Sequence, residues 1–406
     1  YQSGARARPT SRRSMIYLDY NATTPLCAAA REAMEPFLSR HYGNPSSVHE
    51  AGREARAGVD NARDCLAGLL GAKPHELIFT SSGTESNNLA VLGLARAHAD
   101  RGRHLICAST EHHAVLQAFE HLASRELFEV TFLPVDRNGR IDPDELRRAI
   151  RDDTILVSIM TANNETGVLQ PMAELAAVCG DRGVLWHSDM VQSFGKVETR
   201  LADSGLAAAS FAAHKFHGPK GAGLLYLRAG VPIDAVQFGG AHENQRRPGT
   251  ENVPAIAGMA AAAAWTLRDR APEQERERAL RERLWERIAE AFPAATQNGD
   301  TSDRLANTLN VSFAGLSSET ILMALDLEGV CASSGSACMV GSVVASHVLL
   351  AMGLPASVAS SAIRFSLGHE TTEQEIDEAG AIAGDVINRI SSASAGSRRE
   401  LQGAAI

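Results

Sequence analysis

The sequence predicts an α/β fold, in which a large domain built on a mainly parallel sheet is followed by a smaller α+β C-terminal domain. Three observations predict it. Between about residues 75 and 230, short β-branched or apolar runs alternate with helix-length segments, the pattern of strands joined by covering helices. With 406 residues, 44% apolar and 21% charged, the chain can bury a large core in more than one domain, which excludes disordered and fibrous classes. After Gly258 the composition turns Ala-rich and then strongly charged, as a helical connector between domains does.

In chain order, residues 1–14 carry Arg6, Arg8, Arg12 and Arg13 among Ser and Thr, with no acid. Transit segments and expression tags share that composition, and the segment is read as a disordered tag or leader. Residues 15–265 are assigned to the large domain, with 15–30 free to pack on the small one. Ser46 and Ser47 are placed to cap a helix that runs to Leu70 and stops at Gly71. The strand candidates are Leu77–Thr80, His104–Cys107, Glu129–Phe132, Thr154–Met160, Val184–His187 and Gly223–Leu227. Pro272 opens a helix in which Leu280, Leu284, Ile288 and Phe292 recur every four residues. The small domain, 266–390, then holds a strand over Asn307–Phe313, a helix over Ser318–Glu328 and a strand over Ser360–Ser366. The Ser-, Gly- and Ala-rich run 391–406 is expected to be a disordered tail.

The net charge of −9 weakens any electrostatic case for nucleic acid or an anionic membrane surface. No apolar run reaches the length of about 18 residues that a membrane-spanning helix needs. The six cysteines form no CxxC pair and no metal-ligand spacing, so a reducing compartment, taken as the cytoplasm, is expected and no metal site. Cys27, Cys65, Cys107 and Cys179 read as inert core thiols, and Cys331 as structural. Cys338 differs: Ser333-Ser334-Gly335-Ser336-Ala337-Cys338 is a small, flexible run suited to presenting a nucleophilic thiol.

The chemistry concentrates in Ser210-Phe211-Ala212-Ala213-His214-Lys215-Phe216-His217-Gly218-Pro219-Lys220-Gly221. A lysine just after a buried strand, followed by glycines that admit close backbone approach, suits an amine of lowered pKa for Schiff-base chemistry. Asp189 closes the strand before it, where open α/β sheets make ligand contacts. A carboxylate there either caps a helix or holds the pyridine nitrogen of pyridoxal phosphate protonated. Thr80-Ser81-Ser82-Gly83-Thr84-Glu85-Ser86 runs from strand into helix, either an ordinary capped start or a phosphate cradle at the positive end of the helix dipole. Neither a GxxxxGK[ST] nor a strand-borne GxGxxG spacing occurs, which disfavours a nucleotide. Glu111-His112-His113 follows a strand and can set an imidazole over a cofactor ring. Arg364, alone in an apolar strand-like run, suits either bidentate capture of a substrate carboxylate or a buried ion pair.

With these residues in place, the chain resembles the cysteine desulfurases of the NifS/IscS type, pyridoxal-phosphate enzymes of fold type I (aspartate-aminotransferase-like). The resemblance spans roughly residues 16 to 379. It rests on an ordered set: Leu18-Asp19-Tyr20-Asn21-Ala22-Thr23-Thr24-Pro25, Gly43-Asn44-Pro45-Ser46-Ser47, Asn163-Asn164-Glu165-Thr166-Gly167, the Lys215 stretch, and Arg247-Pro248-Gly249-Thr250-Glu251-Asn252. It implies a mainly parallel seven-stranded sheet in the large domain and pyridoxal 5'-phosphate as cofactor. Lys215 would carry the cofactor and move the substrate's α-proton, Asp189 would pair the ring nitrogen, and His112 would stack on the ring. Asn164 and Gln192 would contact the ring oxygen and its surroundings. Gly83, Thr84 and His214 would hold the phosphate, with Thr250 arriving from the second subunit of a homodimer. Asn164 and Arg364 would bind the carboxylate of L-cysteine, and Cys338 would form the persulfide that passes to an acceptor protein, leaving L-alanine. His112 is expected to help by taking the thiol proton.

Two departures from the family pattern stand out. After Cys338 the family's polar Ser/Glu/Pro loop is replaced by Met339-Val340-Gly341-Ser342-Val343-Val344, a β-prone run that predicts a stiffer segment and delivery to a dedicated acceptor. Ala212 stands where many members have a hydroxyl on the phosphate, a loss of about 1.5–3 kcal/mol at most. Selenocysteine lyase activity and an inactive scaffold of the same fold are the alternatives. Iron–sulfur assembly, tRNA thiolation and DNA phosphorothioation are all compatible destinations for the sulfur.

Overall fold

The computed structural model describes residues 15–334 and 345–403, with side chains to residue 393. β1 (Ile16–Tyr17) and α1 (Ala28–Ser39) open the chain, and α2 (Glu50–Leu70) follows. Gly71 ends α2 in the left-handed conformation at φ 65, as its sequence position predicts. The start differs: Asn44 holds Ser46 in a turn, and His49 caps the helix instead, its Nδ1 accepting the Gly52 N–H. Cys65 is exposed rather than buried, because Ala62, Leu66 and Leu70 take the inward face of α2 and Cys65 lies a quarter-turn away.

The central sheet contains β2 (Leu77–Thr80), β3 (His104–Ala108), β4 (Glu129–Leu133), β5 (Thr154–Ser158), β6 (Leu185–Asp189), β7 (Ala208–Ala212) and β8 (Gly223–Leu227). These seven strands lie in the order β2-β8-β7-β6-β5-β3-β4. Only β8 runs against the rest, pairing antiparallel with both β2 and β7. α3 (Gly83–Ala97), α4 (His113–Arg125), α5 (Pro143–Ala149) and α6 (Met172–Arg182) make the crossovers. The chain steps outward from β3 to β4 and then back past β3 to β5, so the strand order reverses beside β3. At such a switch point the two flanking loops diverge and leave a crevice at the strands' C-terminal ends.

One apolar cluster covers each face of the sheet. Leu77, Phe79, Ile106, Val157, Trp186 and Phe211 face one side, toward α2, α6 and the Ala-rich α7 (Val253–Arg268). Ile78, Leu105, Cys107, Leu156 and Leu225 face the other, toward α3 and α4. The alternation of neighbours along β2 and β3 is the period of two that a doubly covered strand requires.

α8 (Arg270–Ala291) follows α7 almost directly, with Pro272 in its first turn. Leu280, Leu284 and Ile288 enter a separate cluster with β10 (Thr308–Ser312), α9 (Ser318–Leu327) and β12 (Ala362–Ser366). β9 (Thr296–Gln297), β10 and β12 form a three-stranded sheet. Ile16 and Leu18 join this cluster, because β1 pairs with β11 (Val330–Cys331), while α1 packs on α7. The N-terminal segment therefore straddles the two apolar units. α10 (His347–Ala351), α11 (Ala356–Ala359) and α12 (Glu373–Gly403) complete the chain. The run from Ser391 to Gly403, expected to be unstructured, continues α12. Its alanines, arginines, Glu400 and Leu401 are good helix formers, and no proline interrupts them.

Candidate active site

The C-terminal ends of β2, β6 and β7 and the loops after β3 and β5 open on one cavity of about 360 Å³. A cavity that size suits a cofactor with a small substrate. Thr80 and Ala212 both pair with Gly223, which aligns the ends of β2 and β7. A Cβ on Gly223 would lie 2.5 Å from the Ser82 carbonyl, so the absence of a side chain is what lets the start of α3 come this close.

α3 begins at the rim. Ser82 caps it by accepting the Glu85 N–H, leaving the first N–H groups of the helix directed outward. Ser82, Gly83 and Thr84 line the cavity, and a Cβ on Gly83 would stand 2.7 Å from Val191 Cγ2. Ala212 lies beside them. Arg247 pairs with Glu85 at 2.7 Å and draws the following loop toward the start of α3. Thr250 on that loop is exposed and does not line this chain's own cavity.

Asp189 ends β6 and is buried. Its Oδ1 accepts the Val191 N–H at 2.9 Å and its Oδ2 accepts from Asn87 Nδ2 at 2.6 Å. It therefore caps a turn rather than a helix while keeping its carboxylate on the cavity wall. Asn87, one turn into α3, was not anticipated. Its spacing from Gly83 puts both on the helix face that meets β6, which is the signal that could have found it.

His112 caps α4: its Nδ1 accepts the Ala114 N–H at 3.1 Å. Burial, followed by the nearby Lys215, lowers its pKa, while Asp189 pulls the other way. A neutral ring capping through Nδ1 carries its proton on Nε2. Taking a further proton from a thiol would mean giving up the cap. Glu111, wholly buried, accepts the Met160 N–H at 2.5 Å, and burial together with Asp189 pushes its carboxyl well above the ordinary range. His347 Nε2 donates to the Glu111 carbonyl, and the His113 and His347 rings stand 4.6 Å apart.

Lys215 sits at the end of the short turn that follows β7, with Nζ donating to the carbonyls of Asn21 at 2.6 Å and Ala22 at 2.8 Å. His214 Nδ1 meets Thr23 Oγ1 at 3.2 Å, and burial lowers its pKa to about 4. Gln192 Nε2 donates to the Asn21 carbonyl. Asn164 lines the cavity, its carbonyl accepting from Arg364 Nη1 at 2.9 Å. Arg364 also reaches the cavity, but its Nη2 is held by Asp19 at 2.7 Å, so the buried ion pair weighed in the sequence is present. Asp19 was passed over because its role depends on a strand more than 300 residues away.

Lys215, His112, Gly83, Thr84, Asn164, Asp189, Gln192, His214 and Arg364 thus share one cavity. Cys338 and the run that follows it lie outside the described residues. The flanks on either side are fixed at the site: Ser333 pairs with Arg364 through both backbone groups, and Ser346 donates to the buried Glu165 at 2.5 Å. Among the described residues there is no cluster of three or more His, Cys, Asp or Glu that could hold a metal. No helix among them is long and apolar enough to cross a membrane.

The family model described as aminotransferase class-V matches residues 16–378. The chain belongs to that family. Within it the chain falls among the cysteine desulfurases. It is 46% identical over 362 residues to the cysteine desulfurase IscS of Dictyoglomus turgidum, covering 89% of this chain and 92% of that one. A solved NifS-like protein superposes with a TM-score of 0.87 at 36% identity, over 92% of this chain and 99% of its own. DndA from Streptomyces lividans gives 0.73 at 39% identity, over 85% and 97%.

Class-V cysteine desulfurases are pyridoxal-phosphate enzymes, and the residues here fit that group. The cavity offers a lysine amine, a buried carboxylate on the neighbouring strand, an imidazole, and a helix start whose approach depends on two glycines. These are one partner each for an aldehyde, a pyridine nitrogen, a ring face and a phosphate.

Proposed function

We propose that this cysteine desulfurase works through Lys215, Asp189 and His112 inside the cavity and Cys338 as sulfur acceptor, as a homodimer in which Thr250 of one copy completes the phosphate site of the other. The observation that carries the reading is the convergence of Lys215, Asp189, His112 and the α3 start on a single cavity at the switch point of the sheet.

Pyridoxal phosphate, when bound, supplies an aldehyde for a Schiff base and a ring that withdraws electrons from the substrate's α-carbon. The chain's own residues do the rest. The first N–H groups of α3, with Thr84 and His214, would hold the phosphate. His214, neutral down to about pH 4, does so as a hydrogen-bond partner rather than a cation. The Asp189 carboxylate, steadied by Asn87 and the Val191 N–H, would keep a proton on the ring nitrogen. His112, its proton on Nε2, would stack on the ring. The Lys215 amine, whose Nζ the carbonyls of Asn21 and Ala22 hold in the cavity, would take the substrate's α-proton at Nζ and return one. Asn164 and Arg364 orient the L-cysteine carboxylate, with Asp19 fixing the guanidinium plane from behind. Cys338, as thiolate, supplies the electron pair for a new S–S bond. The C–S bond breaks, its electrons stay with the carbon, and a proton added there gives L-alanine. The persulfide then passes to an acceptor protein.

The scattered cysteines support a reducing, cytoplasmic setting, and iron–sulfur assembly is one destination for the sulfur. The test is alanine release from L-cysteine by the holoenzyme. Lys215→Ala should abolish both turnover and the cofactor's visible absorbance. Cys338→Ala should abolish turnover and leave the absorbance. Selenide release surviving in Cys338→Ala would instead favour a selenocysteine lyase.

A further inference from the structure

A second lysine lies close behind Lys215. Lys196 Nζ donates to Asn21 Oδ1 and to Gln192 Oε1, each at 3.1 Å. Asn21 is held on every side. Its backbone N–H goes to Ser366 Oγ, its Nδ2 to Thr308 Oγ1 and the Asn164 carbonyl, and its Oδ1 also accepts from Asn307. Its own carbonyl then receives Lys215 Nζ at 2.6 Å and Gln192 Nε2 at 2.9 Å. One asparagine therefore ties the N-terminal segment and β10 to the reactive amine, and Lys196 is a second basic group in the clamp.

Lys196, Lys215 and the buried Glu277 of α8 line one small cavity of about 60 Å³ on the far side of Lys215. Lys196 is half-buried as a residue, but its Nζ is bonded inside. Burial lowers its pKa, and Glu277 opposes that while Lys215 and Arg364 add to it. Burial pushes the Glu277 carboxyl up, Glu273 reinforces this, and Lys196 and Arg276 counter it. The other ionisable groups on this cavity are Asp269, Arg270 and Glu273 around the start of α8, together with Tyr20, His217 and His369.

We propose that Lys196 is a positioning residue for Lys215: through Asn21 it fixes where the amine sits, and through its charge, balanced by Glu277, it sets the pH range over which the lysine–cofactor linkage is protonated. This rests on the assignment of Lys215 as the cofactor-bearing lysine. A cation at this place disfavours a positive charge on the Lys215 nitrogen, so its removal favours protonation there.

The test is a pH titration of the visible absorbance of the substrate-free holoenzyme. Lys196→Met removes the charge, and Glu277, no longer opposed by it, is free to take up a proton. Lys196→Met combined with Glu277→Gln removes both charges and guards against a buried carboxylate left alone. In both, the midpoint should rise by about half a pH unit, because Lys196 shares Asn21 with Lys215 and the loss of its charge outweighs the loss of the more remote Glu277 carboxylate. In Lys196→Arg, which keeps the charge, it should stay near wild type. An unmoved midpoint in both methionine variants, with cofactor bound, overturns the proposal alone. A wild-type absorbance that persists in Lys215→Ala overturns the assignment of Lys215 and the proposal with it.

Discussion

Replacing Asp189 by asparagine separates fold from chemistry, because of the state of Asn87. Asp189 Oδ2 accepts from Asn87 Nδ2 at 2.6 Å, while Asn87 Oδ1 is buried with no hydrogen-bond partner among the described residues. An amide introduced at position 189 would oppose two donors, unless Asn87 turns over and offers Oδ1 instead. That flip restores the bond while turning Nδ2 to the place where Oδ1 had no partner, so one orphaned atom replaces another, and the Val191 N–H keeps its acceptor. Asp189→Asn should therefore change unfolding free energy by no more than about 1 kcal/mol. The carboxylate's charge is lost, however, and a hydrogen bond to a charged group is worth about 1.5–3 kcal/mol. Spent on the transition state, that corresponds to a fall in kcat of roughly 10- to 150-fold. Asp189→Ala leaves both Asn87 Nδ2 and the Val191 N–H unpaired, at about 1–3 kcal/mol each, so it should lose stability as well. The assays are denaturant unfolding and the rate of alanine release. A stable Asp189→Asn variant with undiminished kcat would refute the role of the charge. A loss of several kcal/mol in Asp189→Asn would refute the flip.

Other expectations follow from the same geometry. Burial lowers His187 to about 3 and both His214 and His217 to about 4, against an ordinary value of 6.5. As pH falls from 6.5 toward 4 the unfolded chain binds protons that the native one refuses, so stability should fall through that window. A denaturant midpoint that stays flat there would contradict this. Arg364→Lys keeps a charge near Asp19 but loses the two-pronged grip, so KM for L-cysteine should rise several-fold more than kcat falls, and an unchanged KM removes Arg364 from substrate binding. His112→Ala removes the cap of α4 as well as the ring contact, costing about 1 kcal/mol of stability. His112→Asn, which can still cap, should recover stability but not activity, and recovery of both would reduce His112 to a structural role.

The sheet was legible because its strands are covered on both faces and so read as short apolar runs between helix-length segments. β7 was the exception: Ala208-Ala209-Ser210-Phe211-Ala212 lacks the β-branched residues that mark its neighbours, and its place was visible only from the lysine beyond it. Position on the strand ends made Asp189 legible, and the strand-to-helix step marked the α3 start. What stayed hidden depends on contacts distant in sequence. Asp19 and Arg364 meet across 345 positions, and Asn21 reaches residues from Asn164 to Ser366. No local pattern encodes such pairings. The cap of α2 was misread because two serines looked better suited than a histidine, whereas Asn44 had already engaged the first of them. His112 shows the same limit in its chemistry: its type suggested a base, but the backbone N–H at Nδ1 decides which nitrogen holds the proton.

The account is tested most directly by mass spectrometry of the holoenzyme after a single turnover with L-cysteine. One added sulfur atom on the Cys338 peptide, matched by one alanine released and absent in Lys215→Ala, is the predicted result. Sulfur on another cysteine, or alanine formed at the wild-type rate by Lys215→Ala, would contradict it.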